Sequence, residues 1–164
     1  MDMNIPKSDE MVSKENYVKV LFNFYSNVLG EQAVETMWAE VVDEGKGIYK
    51  LDSVPFYAPN VASGDTILAT YNPDEEMLTY KETIAFSGNS TVQVVIIDKS
   101  VATNDVRDAL HALGCVTEKF NEGYFVIDVP VELDYQLIRS KLEELVSTDT
   151  IDYAEPCLSE QHRD

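Results

Sequence analysis

The order of strand and helix patterns in the second half of the chain constrains the fold most. Six periodic segments follow one another there as β-α-β-β-α-β. The strand patterns cover residues 91–97, 116–120, 124–129 and 151–154, and a helical pattern separates the first pair and the last pair. This order is typical of a ferredoxin-like split βαβ unit, in which both helices cover one face of a four-stranded sheet.

Local signals mark the ends of the two helices. Asn104 is expected to cap the first helix, since a short polar side chain at that position accepts a free backbone N–H. Gly114 follows where a left-handed C-terminal residue belongs. Asp134 is expected to cap the second helix in the same way as Asn104.

Five shorter strand patterns precede this unit. They lie at residues 17–25, 34–42, 48–52, 66–71 and 77–86, and the segments between them contain glycine, proline or other turn-forming residues. Short alternating strands joined by such turns are typical of a small, strongly bent sheet. We therefore predict an SH3-like β-barrel for the first half of the chain.

Taken together, the two halves predict an α+β protein. We expect a flexible tail over residues 1–15, the barrel over 16–88, the ferredoxin-like domain over 89–158 and a second tail over 159–164. Each half has a thin core for its length, so the two domains are expected to pack against each other.

The stretch Gly47–Asp65 connects the third and fourth barrel strands. Pro55 has no N–H to donate and holds its predecessor extended, so the strand is expected to end at the aromatic pair Phe56 and Tyr57. A turn at Gly64 then starts the next strand. We predict that Phe56 closes the end of the barrel and that Tyr57 belongs to a contact surface.

Negative charge is the strongest compositional signal. The chain has 30 Asp and Glu against 12 Lys and Arg, a net charge of −18, which is divided evenly between the halves on either side of Gly88. Net charge alone is also what a merely soluble protein shows. A basic protein is the expected partner, because complementary fields steer encounter. Nucleic acid is excluded, because phosphate contacts need a basic surface.

No membrane partner is predicted either. No window of the sequence reaches the roughly 20 apolar residues that a spanning helix needs. The first residues lack both a basic start and an apolar core, so no signal peptide is recognised and the protein is expected in the cytoplasm.

The residues that could carry catalysis or bind a metal are few and scattered. Cys115 and Cys157 fall on opposite edges of the predicted sheet, roughly 14 Å apart and too far for a disulfide, so both are expected to be reduced and buried. His111 is expected on the solvated side of a helix, and His162 in the disordered C-terminal tail. We therefore predict no catalytic constellation, no metal site and no cofactor.

Acidic clusters are the candidate binding residues. Together with Tyr57 they would form a surface of aromatic and acidic side chains, although each cluster alone is also what a solvated turn contains. The candidates for partner binding are Asp43, Glu44, Tyr57, Asp74, Glu75, Glu76, Asp149, Asp152 and Glu155.

Part of the chain also resembles a known family. The positions that carry the resemblance are Trp38, Tyr49, Asp52, Pro55-Phe56-Tyr57, Gly64-Asp65 and Ser87-Gly88-Asn89-Ser90-Thr91-Val92-Gln93-Val94. From about Tyr17 to Val94 they resemble the bacterial domain-of-unknown-function family 4265. The family pattern reads Ser-Gly-His-Ser-Thr-x-Arg, so this chain differs from it at Asn89 and Gln93. The resemblance implies a small bacterial protein, with an association of some members with secreted toxins.

These observations lead to one function hypothesis and two alternatives. The leading hypothesis is an immunity protein, not an enzyme, that neutralises a basic toxin by covering its active-site cleft and is a monomer or weak dimer when free. The first alternative is a regulatory protein that binds a small molecule near Ala102-Thr103-Asn104. The second is a small hydrolase that acts through carboxylates, which requires a perturbed acid in a pocket.

Overall fold

A computed structural model describes residues 16–163 of the chain. The first five strands are β1 (Tyr17–Ser26), β2 (Glu31–Asp43), β3 (Ile48–Leu51), β4 (Thr66–Asn72) and β5 (Met77–Ala85). The second unit contains β6 (Ser90–Ile96), α1 (Thr103–His111), β7 (Val116–Asn121), β8 (Tyr124–Val129), α2 (Tyr135–Ser147) and β9 (Ile151–Cys157). Single 3₁₀ turns cover Glu44–Lys46 and Glu160–His162. The predicted tail over residues 1–15 lies outside the described residues.

Strands β1 to β5 form a closed barrel. Sequential strands pair antiparallel, and a short parallel pairing of β1 with β5, through Val20 and Leu78, closes the ring. The predicted alternation is confirmed, since Tyr49 and Leu51 are buried while Lys50 between them is exposed. The buried barrel core consists of Val20, Phe22, Met37, Ala39, Tyr49, Leu51, Ala58, Val61, Ile67 and Ala69.

The second unit is a four-stranded antiparallel sheet in the order β7-β8-β6-β9. One face of its two central strands packs with both helices around a single core, in which Val94, Phe125, Leu110 and Leu142 are completely buried. The opposite face, which includes Gln93 and Asp128, is available to contact the barrel. The protein is therefore α+β, with a barrel followed by a helix-covered sheet.

The strand order also tests the cysteine prediction. The strands that follow Cys115 and contain Cys157 are the two outer strands of the sheet, as expected, and both thiols are free. Cys115 is buried, but Cys157 is only half-buried, so the prediction of burial holds for one thiol.

The helix starts were predicted with mixed success. Asp134 caps α2, accepting the N–H of Gln136 at 3.0 Å. Asn104 does not cap α1, which begins one residue earlier at Thr103 without a side-chain cap. The Thr103 hydroxyl accepts the N–H of Gly123, so the β7–β8 turn fixes the start of this helix instead. Neither helix within residues 16–163 combines the length and hydrophobicity needed to cross a bilayer.

Candidate functional site

The loop between β3 and β4 is held in place by one carboxylate. Glu35 lies on β2, and its carboxylate oxygens accept the backbone N–H groups of Phe56 at 2.7 Å, Tyr57 at 3.0 Å and Ala58 at 2.9 Å. Hydrogen bonds to an ionised acceptor are stronger than neutral ones. A single side chain therefore fixes the position of the aromatic pair.

The aromatic pair contacts the second unit and does not close the barrel. The ring of Tyr57 stacks on that of Tyr124 with centroids 5.1 Å apart, and Phe56 meets the edge of Phe120 at the same distance. The Tyr124 hydroxyl donates to the Phe56 carbonyl. The prediction that Phe56 plugs the barrel is wrong, because its side chain is only half-buried and Ala58 lies in the barrel core instead.

Asp65 is the most deeply buried carboxylate of the barrel, with 1% of its surface exposed. It accepts the N–H groups of Ala62 at 3.0 Å and Ser87 at 2.9 Å, so it ties the Gly-Asp turn to the chain segment that leaves the barrel. Burial raises the pKa of Asp65, although these hydrogen bonds oppose the shift. The preceding Gly64 has a φ of +84°, a backbone conformation that is unfavourable for residues with a Cβ atom.

Polar side chains continue this contact across the seam between barrel and sheet. The Ser63 hydroxyl donates to Asp128 at 2.7 Å, and the amide of Asn89 donates to the Ser63 carbonyl at 2.9 Å. The Asn89 oxygen accepts the N–H of Val131. This position therefore connects the two units here through neutral amide hydrogen bonds.

Asp128 lies in a cleft of about 390 Å³ at this seam. Burial raises the pKa of Asp128, and the charge of Glu132 raises it further, while its hydrogen bond from Ser63 opposes the shift. Its Oδ1 atom is buried without a hydrogen-bond partner among the described residues. The cleft is lined by Asp52, Ser53, Val54, Phe56, Ser63, Glu118 and Asp128. The arrangement brings a perturbed acid to the edge of a small acidic cleft.

A larger cleft of about 680 Å³ lies between the barrel exit and the C-terminal segment. Its lining includes Phe86, Asn89 and Cys157. Burial, and then the nearby charge of Asp65, raise the pKa of the Cys157 thiol to about 11, so the thiol is protonated near neutral pH. Cys157 is therefore a poor nucleophile. Among residues 16–163, no group of His, Cys, Asp and Glu is arranged to hold a metal ion.

The histidines occupy different environments. His111 is exposed as expected, and its Nε2 lies 2.7 Å from the Thr117 hydroxyl. His162 was expected in a disordered tail, and this is wrong, because only 3% of it is exposed. Its Nδ1 lies 2.6 Å from the Ser90 hydroxyl and its Nε2 3.0 Å from the Pro130 carbonyl. Its two ring nitrogens thus attach the last turn of the described chain to the sheet unit.

The predicted acidic residues fall into two separate groups. The turns with Asp43–Glu44 and Asp74–Glu76 lie at the same end of the barrel, since β2 and β4 are each antiparallel to β3 and therefore run in the same direction into these turns. The loop with Tyr57 follows β3 at the opposite end. Asp149 and Asp152 are exposed at the start of β9, in the other unit.

Two of the predicted site residues are already engaged within the protein. Tyr57 is part of the seam described above. Glu155 accepts the Tyr135 hydroxyl at 2.5 Å and a guanidinium N–H of Arg139 at 3.1 Å. The loop that was predicted to bind a small molecule also makes an internal contact, because the Thr103 hydroxyl donates a hydrogen bond to the Glu122 carboxylate.

Sequence reasoning overlooked Glu35 and Asp128. One signal could have found each of them: a charged residue in step with the buried face of a strand. Glu35 lies on the same face of its strand as Met37 and Ala39, which are both buried, and Asp128 lies on the same face as the buried Val126. Such a carboxylate must find internal partners or be protonated.

Comparison with known proteins gives the family. Residues 35–153, nearly three quarters of the chain, match the family described as Domain of unknown function (DUF4265). The chain belongs to this family. The match begins inside β2 and extends through the helix-covered sheet, so the DUF4265 region includes both units, whereas the sequence resemblance ended near Val94.

One solved structure shares the fold. The crystal structure of a hypothetical protein from Neisseria gonorrhoeae is similar with a TM-score of 0.74, at 22% sequence identity, over 86% of this chain and 94% of that one. At this identity the likeness concerns the fold alone. No curated protein matches the chain.

Proposed function

We propose that this DUF4265 protein is an immunity protein that binds a basic toxin and covers its active site, without catalysing a reaction itself. The observation that supports this most is the placement of negative charge. The net charge of −18 is spread over both halves, and two acidic turns are at the same end of the barrel. The protein would act in the cytoplasm as a monomer or weak dimer that binds its toxin.

The acidic end of the barrel is suited to a basic partner. Asp74, Glu75 and Glu76 are exposed, and none of them forms a salt bridge with a lysine or arginine of the described chain. Carboxylates without internal partners keep their field available to an approaching protein, and such fields raise association rates mostly at low salt.

Co-purification with the product of the neighbouring gene tests this proposal. The two proteins are co-expressed and separated by size exclusion at low and at high salt. We expect the two proteins to elute as one complex at low salt, and to elute together to a smaller extent at high salt. If they do not co-elute at low salt or at high salt, the proposal is contradicted.

A matched pair of variants tests the role of the acidic end. Glu75→Gln with Glu76→Gln removes two charges from the turn, and Asp105→Asn with Asp108→Asn removes two from the exposed side of α1. We expect the first variant to associate more slowly than the second. Equal association rates for the two variants would show that the turn is not part of the binding surface.

A second candidate function has one observation in its favour. The cleft beside Asp128 holds an acid whose pKa is raised, which is what a carboxylate-dependent hydrolase needs for a general acid. A panel of chromogenic glycosides, esters and phosphate esters tests it. Turnover that Asp128→Asn abolishes would favour the hydrolase, and no turnover of any substrate would count against it.

The same proposal includes a finer description of the two units. The barrel is SH3-like, and the second unit is ferredoxin-like. The strand order β7-β8-β6-β9, in which the first and third strands of this unit are central, supports the second description.

A further inference from the structure

The outer face of the β1–β2 hairpin presents a row of large apolar side chains. Adjacent strands place Lys19 opposite Trp38, Asn23 opposite Val34 and Tyr25 opposite Gln32. Met37 and Ala39 face the barrel core, so the even-numbered residues of β2 face outward. We call the outward set the ribbon face. It consists of Tyr25, Val34, Trp38 and Val42 on the strands, together with Val28 and Leu29 in the turn that joins them, and these side chains are 40% to 61% exposed.

The ribbon face differs from ordinary scattered surface residues. Single exposed apolar side chains are normal, but here several share one face of a hairpin, with Thr36 and Glu40 between those of β2, and such a face can form a contact surface. Trp and Tyr are the residue types that contribute most to binding at protein interfaces. The core of the barrel does not need these side chains, since the inward residues of both strands already fill it.

The ring of Trp38 has one contact before any partner arrives. The Lys19 ammonium lies 5.2 Å from the centre of the ring. A side chain that is already ordered loses less conformational freedom on binding. This favours Trp38 as an anchor.

The charges around the ribbon face indicate what would cover it. Between residues 17 and 43 the exposed charged side chains are the acids Glu31 and Glu40 and the cation Lys19. A second copy would bring two chains of −18 together, and like charges across an interface oppose binding. A partner with an apolar patch surrounded by lysine and arginine would complement both the row and its acidic border.

The ribbon face is also continuous with the acidic end of the barrel. Val42 is followed directly by Asp43 and Glu44, which belong to that end. We propose that the ribbon face is the docking surface for the basic toxin, with Trp38 and Val34 in the apolar centre and the acidic end of the barrel at its border. This rests on the proposed function, and it assigns the main contact to side chains that the charge argument alone does not include.

Binding measurements with the purified product of the neighbouring gene test this assignment. The variants are Trp38→Ala and, separately, Tyr25→Ala with Val34→Ala. The matched control is Ile97→Ala with Leu137→Ala, which removes two exposed apolar side chains from the second unit. Circular dichroism and thermal unfolding check that each variant is folded. The two ribbon variants share no residue, so misfolding of one leaves the other to decide.

We expect each ribbon variant to weaken binding at least about 30-fold, the effect of losing an interface anchor, and the control to stay within about 3-fold of the original chain. If the original chain binds and the ribbon variants bind as tightly as the control, the ribbon face is not the docking surface, while the proposed function stands. If the original chain does not bind, both proposals fail. A homodimer in sedimentation that Val34→Ala dissociates would assign the face to a second copy and overturn the inference.

Discussion

The two ends of the barrel use carboxylates in opposite ways. At the end with the hairpin turns, Asp74, Glu75 and Glu76 are exposed and form no salt bridge with a described cation. At the seam, Glu35 and Asp65 each accept two or more backbone N–H groups and hold the loop that contacts the sheet. The exposed acids of the hairpin turn therefore contribute charge, while the isolated acids at the seam contribute structure.

The largest difference in the free energy of unfolding is expected when one carboxylate is removed at each end of the barrel. Asp65→Ala leaves the N–H groups of Ala62 and Ser87 buried without an acceptor, which should lower the free energy of unfolding by about 2–4 kcal/mol. Asp74→Ala should change it by less than about 0.5 kcal/mol. Urea denaturation measures both, and equal losses would contradict the division between the two ends.

The aromatic pair gives the next largest effect. Phe56 and Tyr57 are both half-buried against the sheet, so alanine at either position should cost about 2 kcal/mol, less than the 3–5 kcal/mol of a fully buried ring. The more exposed Phe86→Ala serves as a control and should cost less than about 0.5 kcal/mol. A much larger loss for Phe56 than for Tyr57 would mean that Phe56 is a barrel residue after all.

A smaller effect is expected from the carboxylate that holds the loop. Glu35→Gln keeps the shape of the side chain but replaces one acceptor oxygen with a donor facing an N–H, which should cost about 1–2 kcal/mol. Glu40→Gln, five residues along the same strand and exposed, is the control. Hydrogen exchange of the Phe56, Tyr57 and Ala58 amides should become faster in the first variant alone. Unchanged exchange at all three would show that Glu35 does not fix the loop.

The smallest effect concerns pH. The pKa of Asp128 is raised in the folded protein, so the folded state binds its proton more tightly than the unfolded state. Its contribution to stability is therefore greatest at acid pH and is lost as the pH rises through the folded pKa. Asp128→Asn, which keeps an acceptor for Ser63, should gain stability relative to the original chain between about pH 4 and pH 7. Denaturation at both pH values measures this, with Asp74→Asn as the control; a difference that is independent of pH would contradict it.

Much of the fold followed from local patterns. All five barrel strands and the β-α-β-β-α-β order were predicted, because side-chain alternation and turn residues act over a few neighbouring positions. The start of α1 was missed because a distant hairpin, through Gly123, fixes it. The packing of His162 was missed for a similar reason, since its partner Ser90 lies 72 residues earlier.

The sequence by itself determined the charge, the strand pattern and the position of the proline-aromatic loop between β3 and β4. Only the tertiary structure decided where that loop makes its contacts. Tyr57 stacks on Tyr124, and Ser63 bonds to Asp128 across 65 residues of chain. Such contacts depend on how two separately patterned units pack together, and no local periodicity encodes that packing. Gly47–Asp65 is therefore the segment through which the barrel contacts the sheet.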